Sequence, residues 1–246
     1  AESRPPLSEV LAVERLIRIA QATGVILYLV HISTPEAVAL AVEARRRGQK
    51  VFIETCPHYL YLTQDALAKH GPYAKCNPPL RTPREVESLW DYVLDGTIDT
   101  IASDHGPFTT EEKDKGAVDI FLAPAGFPGL ETRLPLMLTA VKQGRLSMRR
   151  AVELLSVNPS KIFALYPKKG TIAVGADADL VLVDMDTPFE IDHAQMLTKS
   201  RDACLVYDGM RVYGRVLRTF VRGREVYQNG KVTVEPGYGQ WVTPLR

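Results

Sequence analysis

Three apolar runs in this chain each end on a residue able to bind a metal ion. Val25-Ile26-Leu27-Tyr28-Leu29-Val30 is followed by His31, Val51-Phe52-Ile53 by Glu54-Thr55-Cys56-Pro57-His58, and residues 98–102 by Ser103-Asp104-His105-Gly106-Pro107. An imidazole and a carboxylate together suit a hard-to-borderline divalent ion, with zinc the natural candidate. An Asp beside a metal-bound water can take its proton, because the metal lowers the water's pKa toward ~7. Taken alone, a His after a strand is more often a hydrogen-bonded structural residue, and an Asp there serves equally well as a helix N-cap or turn former. His31 and Asp104 at two strand ends of one parallel unit favour a metal site over either residue by itself. Glu54 and His58 read as supporting or loop-packing residues.

That chemistry requires strands whose ends lie on one edge, and the order of elements supplies them. Leu7, Val10, Leu11, Val13, Leu16, Ile17 and Ala20 recur at helical spacing before a Gly24 stop. The run at 25–30 follows, with the look of a parallel strand covered on both faces. Residues 35–47 read as a helix with a Gly48 stop, 51–53 as a second strand, 83–94 as a helix and 98–102 as a third strand. This βαβα order predicts a parallel sheet or barrel, where function collects at the carboxyl ends of strands. Near Tyr166 the pattern changes to short alternating runs: 171–174, 180–183, 212–221 and 225–227, then an Asn229-Gly230 hairpin into 231–234. Residues 1–165 are therefore expected to form one domain and 166–246 a small antiparallel β module.

Two loops could hold a substrate. Lys75-Cys76-Asn77-Pro78-Pro79-Leu80-Arg81 is proline-locked and offers the Asn77 amide, or is only a rigid connection. In the stretch 123–131, glycines let backbone groups approach a ligand closely, or simply turn the chain into a helix starting near Thr132.

Composition removes several classes of function. The 246 residues are 46% hydrophobic and 24% charged, which excludes a disordered, collagen-like or disulfide-stapled chain. Thirty Lys and Arg against 29 Asp and Glu leave a formal charge of +1, with no electrostatic footprint for nucleic acid or an anionic membrane. Three widely spaced cysteines without a C-x-x-C pair point to a reduced, cytoplasmic protein. No apolar run approaches the ~18 residues that span a bilayer, and the polar start Ala1-Glu2-Ser3-Arg4-Pro5-Pro6 is unlike a signal peptide.

With these residues in view, the chain resembles the C-terminal part of the cyclic amidohydrolases: the hydantoinase/dihydropyrimidinase, allantoinase and dihydroorotase family. The similarity is carried by seven ordered motifs over essentially the whole chain: Val30-His31-Ile32-Ser33, Glu54-Thr55-Cys56-Pro57-His58-Tyr59-Leu60, Asn77-Pro78-Pro79-Leu80-Arg81, Ser103-Asp104-His105-Gly106-Pro107-Phe108, Asn158-Pro159-Ser160-Lys161-Ile162-Phe163, Lys168-Lys169-Gly170-Thr171-Ile172 and Gly175-Ala176-Asp177-Ala178-Asp179-Leu180. The resemblance implies an α/β fold, the C-terminal part of a (β/α)8 TIM barrel with strands six to eight, plus a small antiparallel β-sandwich module. It also implies hydrolytic opening of a cyclic amide by a metal-bound hydroxide, with two Zn2+ in the complete active site. His31 resembles the sixth-strand metal ligand, and Asp104 the eighth-strand aspartate that binds metal and shuttles the proton. Asn77, Ala125 and Gly126 fall where the family holds the ring, although the family carries an Asn where Ala125 stands. Phe108 resembles the apolar pocket wall of hydantoinases and dihydropyrimidinases, where dihydroorotases tend to carry a His.

The family's first-strand His-x-His pair, carboxylated fourth-strand lysine and fifth-strand histidine have no counterpart in this sequence. At about 30 residues per βα unit, five further units amount to roughly 150 residues. The expectation is thus the rear part of a larger, homo-oligomeric (commonly homotetrameric) hydrolase acting on a small cyclic amide or ureide, its site completed by a preceding segment or another chain. Allantoinase and dihydroorotase chemistry are the near alternatives. A catalytically silent fragment acting as an assembly module is the alternative from another class.

Overall fold

The computed structural model describes residues 3–245. Ala1, Glu2 and Arg246 lie outside them, so the start of the polar Ala1–Pro6 stretch is not described. The chain divides into two compact units, Ala1–Arg133 with Thr198–Asp208, and Leu134–Leu197 with Gly209–Arg246.

In the first unit, α1 (Pro6–Thr23) begins on a proline, where a missing N–H costs nothing. It ends at Gly24, left-handed at φ +72°, whose N–H closes on the Ala20 carbonyl. β1 (Leu27–Leu29) leads to α2 (Pro35–Arg46), capped by the Thr34 hydroxyl accepting from Ala37 N–H. β2 (Val51–Thr55) follows, then α3 (His58–Tyr61), α4 (Asp65–His70) and α5 (Pro83–Leu94), the last opened by a Thr82/Glu85 capping box. β3 (Thr100–Ile101) and α6 (Thr110–Asp114) precede α7 (Leu130–Lys142), inside which the chain passes into the second unit. The three strands form a parallel sheet in the order β1-β2-β3, with Leu29 opposite Ile53 and Thr55 opposite Ile101. Leu29, Ile53 and Ile101 are buried on one face with Ala37, Val38, Ala41, Leu89 and Val93 from α2 and α5. The α/β expectation for this part is met.

The expectation that residues 25–30 are covered on both faces is not. β1 is an edge strand, Tyr28 is half-buried, and Val25, Ile26 and Val30 are exposed by 56%, 61% and 46%. The helix expected near Thr132 starts two residues earlier, at Leu130.

The second unit continues α7 with α8 (Met148–Val152) and α9 (Asn158–Ile162), then turns to strands. β4 (Leu180–Asp184), β7 (Arg215–Val221), β8 (Arg224–Gln228) and β9 (Lys231–Val232) make an antiparallel sheet in the order β4-β7-β8-β9, while β5 (Phe189–Glu190) pairs with β6 (Arg211–Val212). The Asn229-Gly230 hairpin joins β8 to β9 as expected, with Gln228 opposite Lys231. The strand expected at 171–174 does not form. The four residues between Gly170 and Gly175 pair with no strand among the described residues, and Ile172 and Val174 are 87% and 109% exposed. Residues 212–221 divide into β6 and β7 at Gly214, left-handed at φ +82°, where a Cβ would stand 2.5 Å from the Leu138 side chain. No helix among the described residues is long and apolar enough to cross a membrane.

Candidate active site

The parallel register continues beyond the formal strand ends and places the candidate residues. Ile32 N–H donates to the Glu54 carbonyl at 2.8 Å, Ala102 N–H to the Thr55 carbonyl at 3.0 Å, and the Thr55 hydroxyl to the Ile32 carbonyl at 2.7 Å. His31 and Asp104 sit at the carboxyl ends of the two strands that flank β2. Both are left-handed, at φ +43° and +46°. That region is sterically costly for a residue with a Cβ, by about 1–3 kcal/mol, and such residues cluster at functional sites. His31 is half-buried and Asp104 exposed, and they make no hydrogen bond to each other.

His31 carries a buried Nδ1 with no hydrogen-bond partner. A buried imidazole nitrogen left unpaired costs free energy, and here it lies at the carboxyl edge of the sheet on a left-handed residue, where it is available as a ligand atom. With the Asp104 carboxylate it supplies two donors of the kinds zinc takes, which fits part of the three or four protein ligands such a site needs. The backbone N–H of His31 donates to Glu54 Oε1 at 3.3 Å, Tyr28 OH donates to Glu54 Oε2 at 2.6 Å, and the same phenol lies 2.7 Å from Thr100 Oγ1. One residue from each strand thus forms a polar layer on the sheet face opposite the buried core. Burial, then the bond to Glu54, holds the Tyr28 phenol well above its ordinary pKa, so it remains a donor.

The loop after His31 is fixed by a buried ion pair. Glu9 Oε1 accepts from the backbone N–H groups of Ser33 (2.8 Å) and Thr34 (3.2 Å), and the Ser33 hydroxyl donates to Glu9 Oε2. Arg81 closes the network through Nη2 to Glu9 Oε2 (3.0 Å) and Nε to Ser33 Oγ (2.9 Å), with both charged side chains at most 6% exposed. His58 is fully buried with its Nε2 unpartnered, its ring 4.1 Å from Tyr59 and 5.3 Å from Phe127, centroid to centroid. Burial first, then the neighbouring His31, lowers its pKa to about 3, so it is a neutral residue packed beside the site. His105 Nδ1 accepts from Gly129 and Leu130 N–H at the start of α7, at 3.2 and 3.3 Å.

The two candidate substrate loops and the Asp104 loop are joined to one another. Gly126 N–H donates to the Lys75 carbonyl at 2.8 Å, two residues before the exposed Asn77, and Gly106 N–H to the Phe127 carbonyl at 3.0 Å. Tyr59 OH donates to the Pro78 carbonyl at 2.7 Å and steadies the turn after Asn77. A Cβ on Gly106 would meet the Gly126 backbone at 2.9 Å, and Gly126 is left-handed at φ +121°, so glycine is required where the loops cross. The Phe108 ring lies against this crossing, 3.0 and 3.3 Å from where Cβ atoms on Gly106 and Gly126 would stand. Phe108 is therefore packed under the loops while its half-buried ring remains part of their wall. Ala125 is half-buried and carries no polar side-chain atom, so any polar contact made there is the backbone's.

Two elements were not singled out in the sequence. Glu9 had a visible signal, because it shares the helical stripe of Val13 and Ile17, where a charge signals a buried partner. Lys113, wholly buried, had none, since it lies in the charged run 110–115, which reads as a solvated face.

Residues 9–226 match the model of the Amidohydrolase family. The chain is similar to an allantoinase of Deinococcus radiodurans (42% identity, covering 96% of this chain and 51% of that one) and to a dihydroorotase of Geobacter sp. strain M21 (39%, 92% and 52%). Its structure superimposes on the L-hydantoinase (dihydropyrimidinase) from Arthrobacter aurescens with a TM-score of 0.92 at 41% identity, covering 97% of this chain and 53% of that one. The chain spans about half the length of the curated relatives it matches.

Proposed function

The chain belongs to the amidohydrolase family, and from that premise we propose that it is the C-terminal portion of an enzyme that opens a cyclic amide ring, of the hydantoinase or dihydropyrimidinase type. The observation that carries this reading is the pair of left-handed residues, His31 and Asp104, at the carboxyl ends of parallel strands, the first with an unpaired buried ring nitrogen. Residues 1–165 are the last strands and helices of a (β/α)8 barrel, which accounts for a sheet with one apolar and one polar, half-covered face. Residues 166–246 are the β-sandwich module, supported by the four- and two-stranded antiparallel sheets.

His31 and Asp104 would hold a divalent ion, zinc by donor chemistry, with the remaining ligands contributed by a preceding segment or another chain. When bound, such an ion supplies a lowered water pKa and a polarised ring carbonyl. Asp104 accepts a proton at its carboxylate and returns it to the leaving ring nitrogen, a transfer that contributes typically 10²–10⁴-fold. Asn77 and the backbone at Ala125 and Gly126 hold the ring's polar edge, and Phe108 presents an apolar wall suited to hydantoins and dihydropyrimidines. Free, buried cysteines at 56, 76 and 204 support a reducing, cytoplasmic setting, and a homo-oligomer completes the proposal.

The test is turnover by the complete polypeptide of hydantoin, dihydrouracil, allantoin and dihydroorotate, with a chelator control. Ring-opening unchanged in Asp104→Asn, or insensitive to the chelator, removes the assigned role, and turnover of dihydroorotate alone removes the Phe108 argument. An assembly module is the reading that a two-donor set favours, and it requires that the complete polypeptide open none of the four rings.

A further inference from the structure

Lys113 Nζ donates to three backbone carbonyls: Pro72 at 3.1 Å, Pro124 at 3.0 Å and Lys75 at 3.5 Å. Lys75 answers from the other side, its own Nζ donating to the carbonyls of Ile120 (2.7 Å), Phe121 (3.3 Å) and Ala123. Neither ammonium has a carboxylate within ion-pair distance among the described residues, so the hydrogen bonds of both are to backbone carbonyls. Burying a cation without an anion is unfavourable unless every N–H finds an acceptor, and three N–H groups here face three oxygens. Those oxygens belong to different loops. Pro72 and Lys75 lead into Asn77, and Pro124 directly precedes Ala125 and Gly126. The Lys75 carbonyl is shared, accepting from both Lys113 and the Gly126 N–H at 2.8 Å. Lys113 also stands 5.6 Å from the centroid of the Phe108 ring.

We propose that Lys113 is a positioning residue that ties the Asn77 loop to the Ala125–Gly126 loop, fixing their separation and so the fit of the ring between them. This rests on the reading of those loops as the ring-binding site. Lys113 touches no reacting atom, so its loss acts on substrate binding rather than on the proton transfer at Asp104.

The experiment is Lys113→Met in the complete enzyme, read as KM and kcat separately. KM is expected to rise at least tenfold with kcat within threefold of the parent, and Lys113→Arg, which can still donate to several carbonyls, recovers most of the KM. Amide exchange supplies a second readout that does not use activity, with the Gly126 N–H exchanging at least tenfold faster in Lys113→Met. A KM within threefold of the parent, or a fall in kcat alone, overturns the proposal. If the parent enzyme opens none of the rings, the ring-opening reading has failed by itself, and Gly126 exchange alone then decides the clamp: unchanged exchange overturns it. Should Lys113→Met not fold, Lys113→Gln, which keeps a donor too short to reach all three carbonyls, carries the same test with the same outcomes.

Discussion

The left-handed backbone conformation occurs in both units of this molecule, for different reasons. In the antiparallel sheet, Arg222 and Asn229 adopt φ +50° and +45°, and each is followed by a left-handed glycine, Gly223 or Gly230. These pairs are the two-residue turns between β7 and β8 and between β8 and β9, where positive φ at both positions matches the twist of the strands. Chain reversal accounts for their backbone conformation. At the carboxyl edge of the parallel sheet, His31 and Asp104 adopt the same conformation with no glycine and no hairpin. Nothing in the strand geometry asks for it, and that strain supports the role proposed for the two side chains. Positive φ therefore carries functional information only after the turn chemistry around it has been subtracted.

The largest effect should come from breaking that distinction directly. Asp104→Gly keeps the left-handed backbone and relieves its strain, so the folded state is expected to gain up to about 1 kcal/mol. Ring-opening by the complete enzyme should nevertheless fall by about 10²–10⁴-fold, the typical contribution of a positioned acid-base group. Thermal unfolding and steady-state kinetics on the same sample check both halves. A variant that is less stable and still active would make Asp104 an ordinary turn residue.

The two units also differ in how they treat charge, which gives the next effect in size. Glu9 and Arg81 are enclosed and hydrogen-bonded to the loop behind His31, whereas Lys169, with 19% of its side chain exposed, pairs with Asp177 at 2.9 Å and with Asp179 in a partly buried site that solvent reaches. Removing one partner of a buried pair leaves an uncompensated charge, so Arg81→Met should cost about 3–5 kcal/mol. Lys169→Met should cost less, about 1–2 kcal/mol, because solvent screens the carboxylates left behind, and less still at high salt. Denaturant titration of both variants measures the contrast, and equal costs would remove it.

A smaller, pH-dependent effect belongs to His58. Its folded pKa of about 3 lies below the ordinary value of 6.5, so between these values the unfolded chain binds a proton that the folded chain refuses. The stability contribution is complete above pH 6.5 and is lost as pH falls toward 3, with a slope approaching about 1.4 kcal/mol per unit. His58→Gln should remove that slope. An acid titration of stability that is superimposable for parent and variant would show that His58 is not held neutral.

How much of this was legible in the sequence follows the same division. Strand ends and hairpins are local, so His31, Asp104 and the Asn229-Gly230 turn could be read from neighbouring residues. The helix boundaries at Gly24 and Pro83 were legible for the same reason. Coverage of a sheet face is not local: the run 25–30 is apolar enough for a buried strand, yet its edge position leaves Val25 and Ile26 exposed. At 171–174 the alternating pattern was present and the pairing partner was not, and a strand needs both. The Lys113 clamp was invisible because its acceptors are backbone carbonyls up to 41 residues away, which have no side-chain signature.

The smallest expected effect closes the comparison from its other side. Asn229→Gly and Arg222→Gly retain φ > 0 at both turn positions, and glycine reaches that region without a Cβ penalty. Glycine also enlarges the conformational freedom of the unfolded chain, which offsets part of the relief. At Asn229 the two terms oppose each other and each is below about 1 kcal/mol, so the net change in stability should lie within about 0.5 kcal/mol; Arg222→Gly also loses the Nη2 bond to the Tyr238 carbonyl at 2.7 Å and the contact with that ring, and should cost about 1 kcal/mol more. Ring-opening should be unaltered. The identical replacement at Asp104 is expected to lower activity by about 10²–10⁴-fold, so the set of three glycine variants separates side chain from backbone. If either hairpin variant lost more than threefold in ring-opening, the left-handed residues of the antiparallel sheet would have a role beyond turning the chain, and subtracting turns would no longer identify the site.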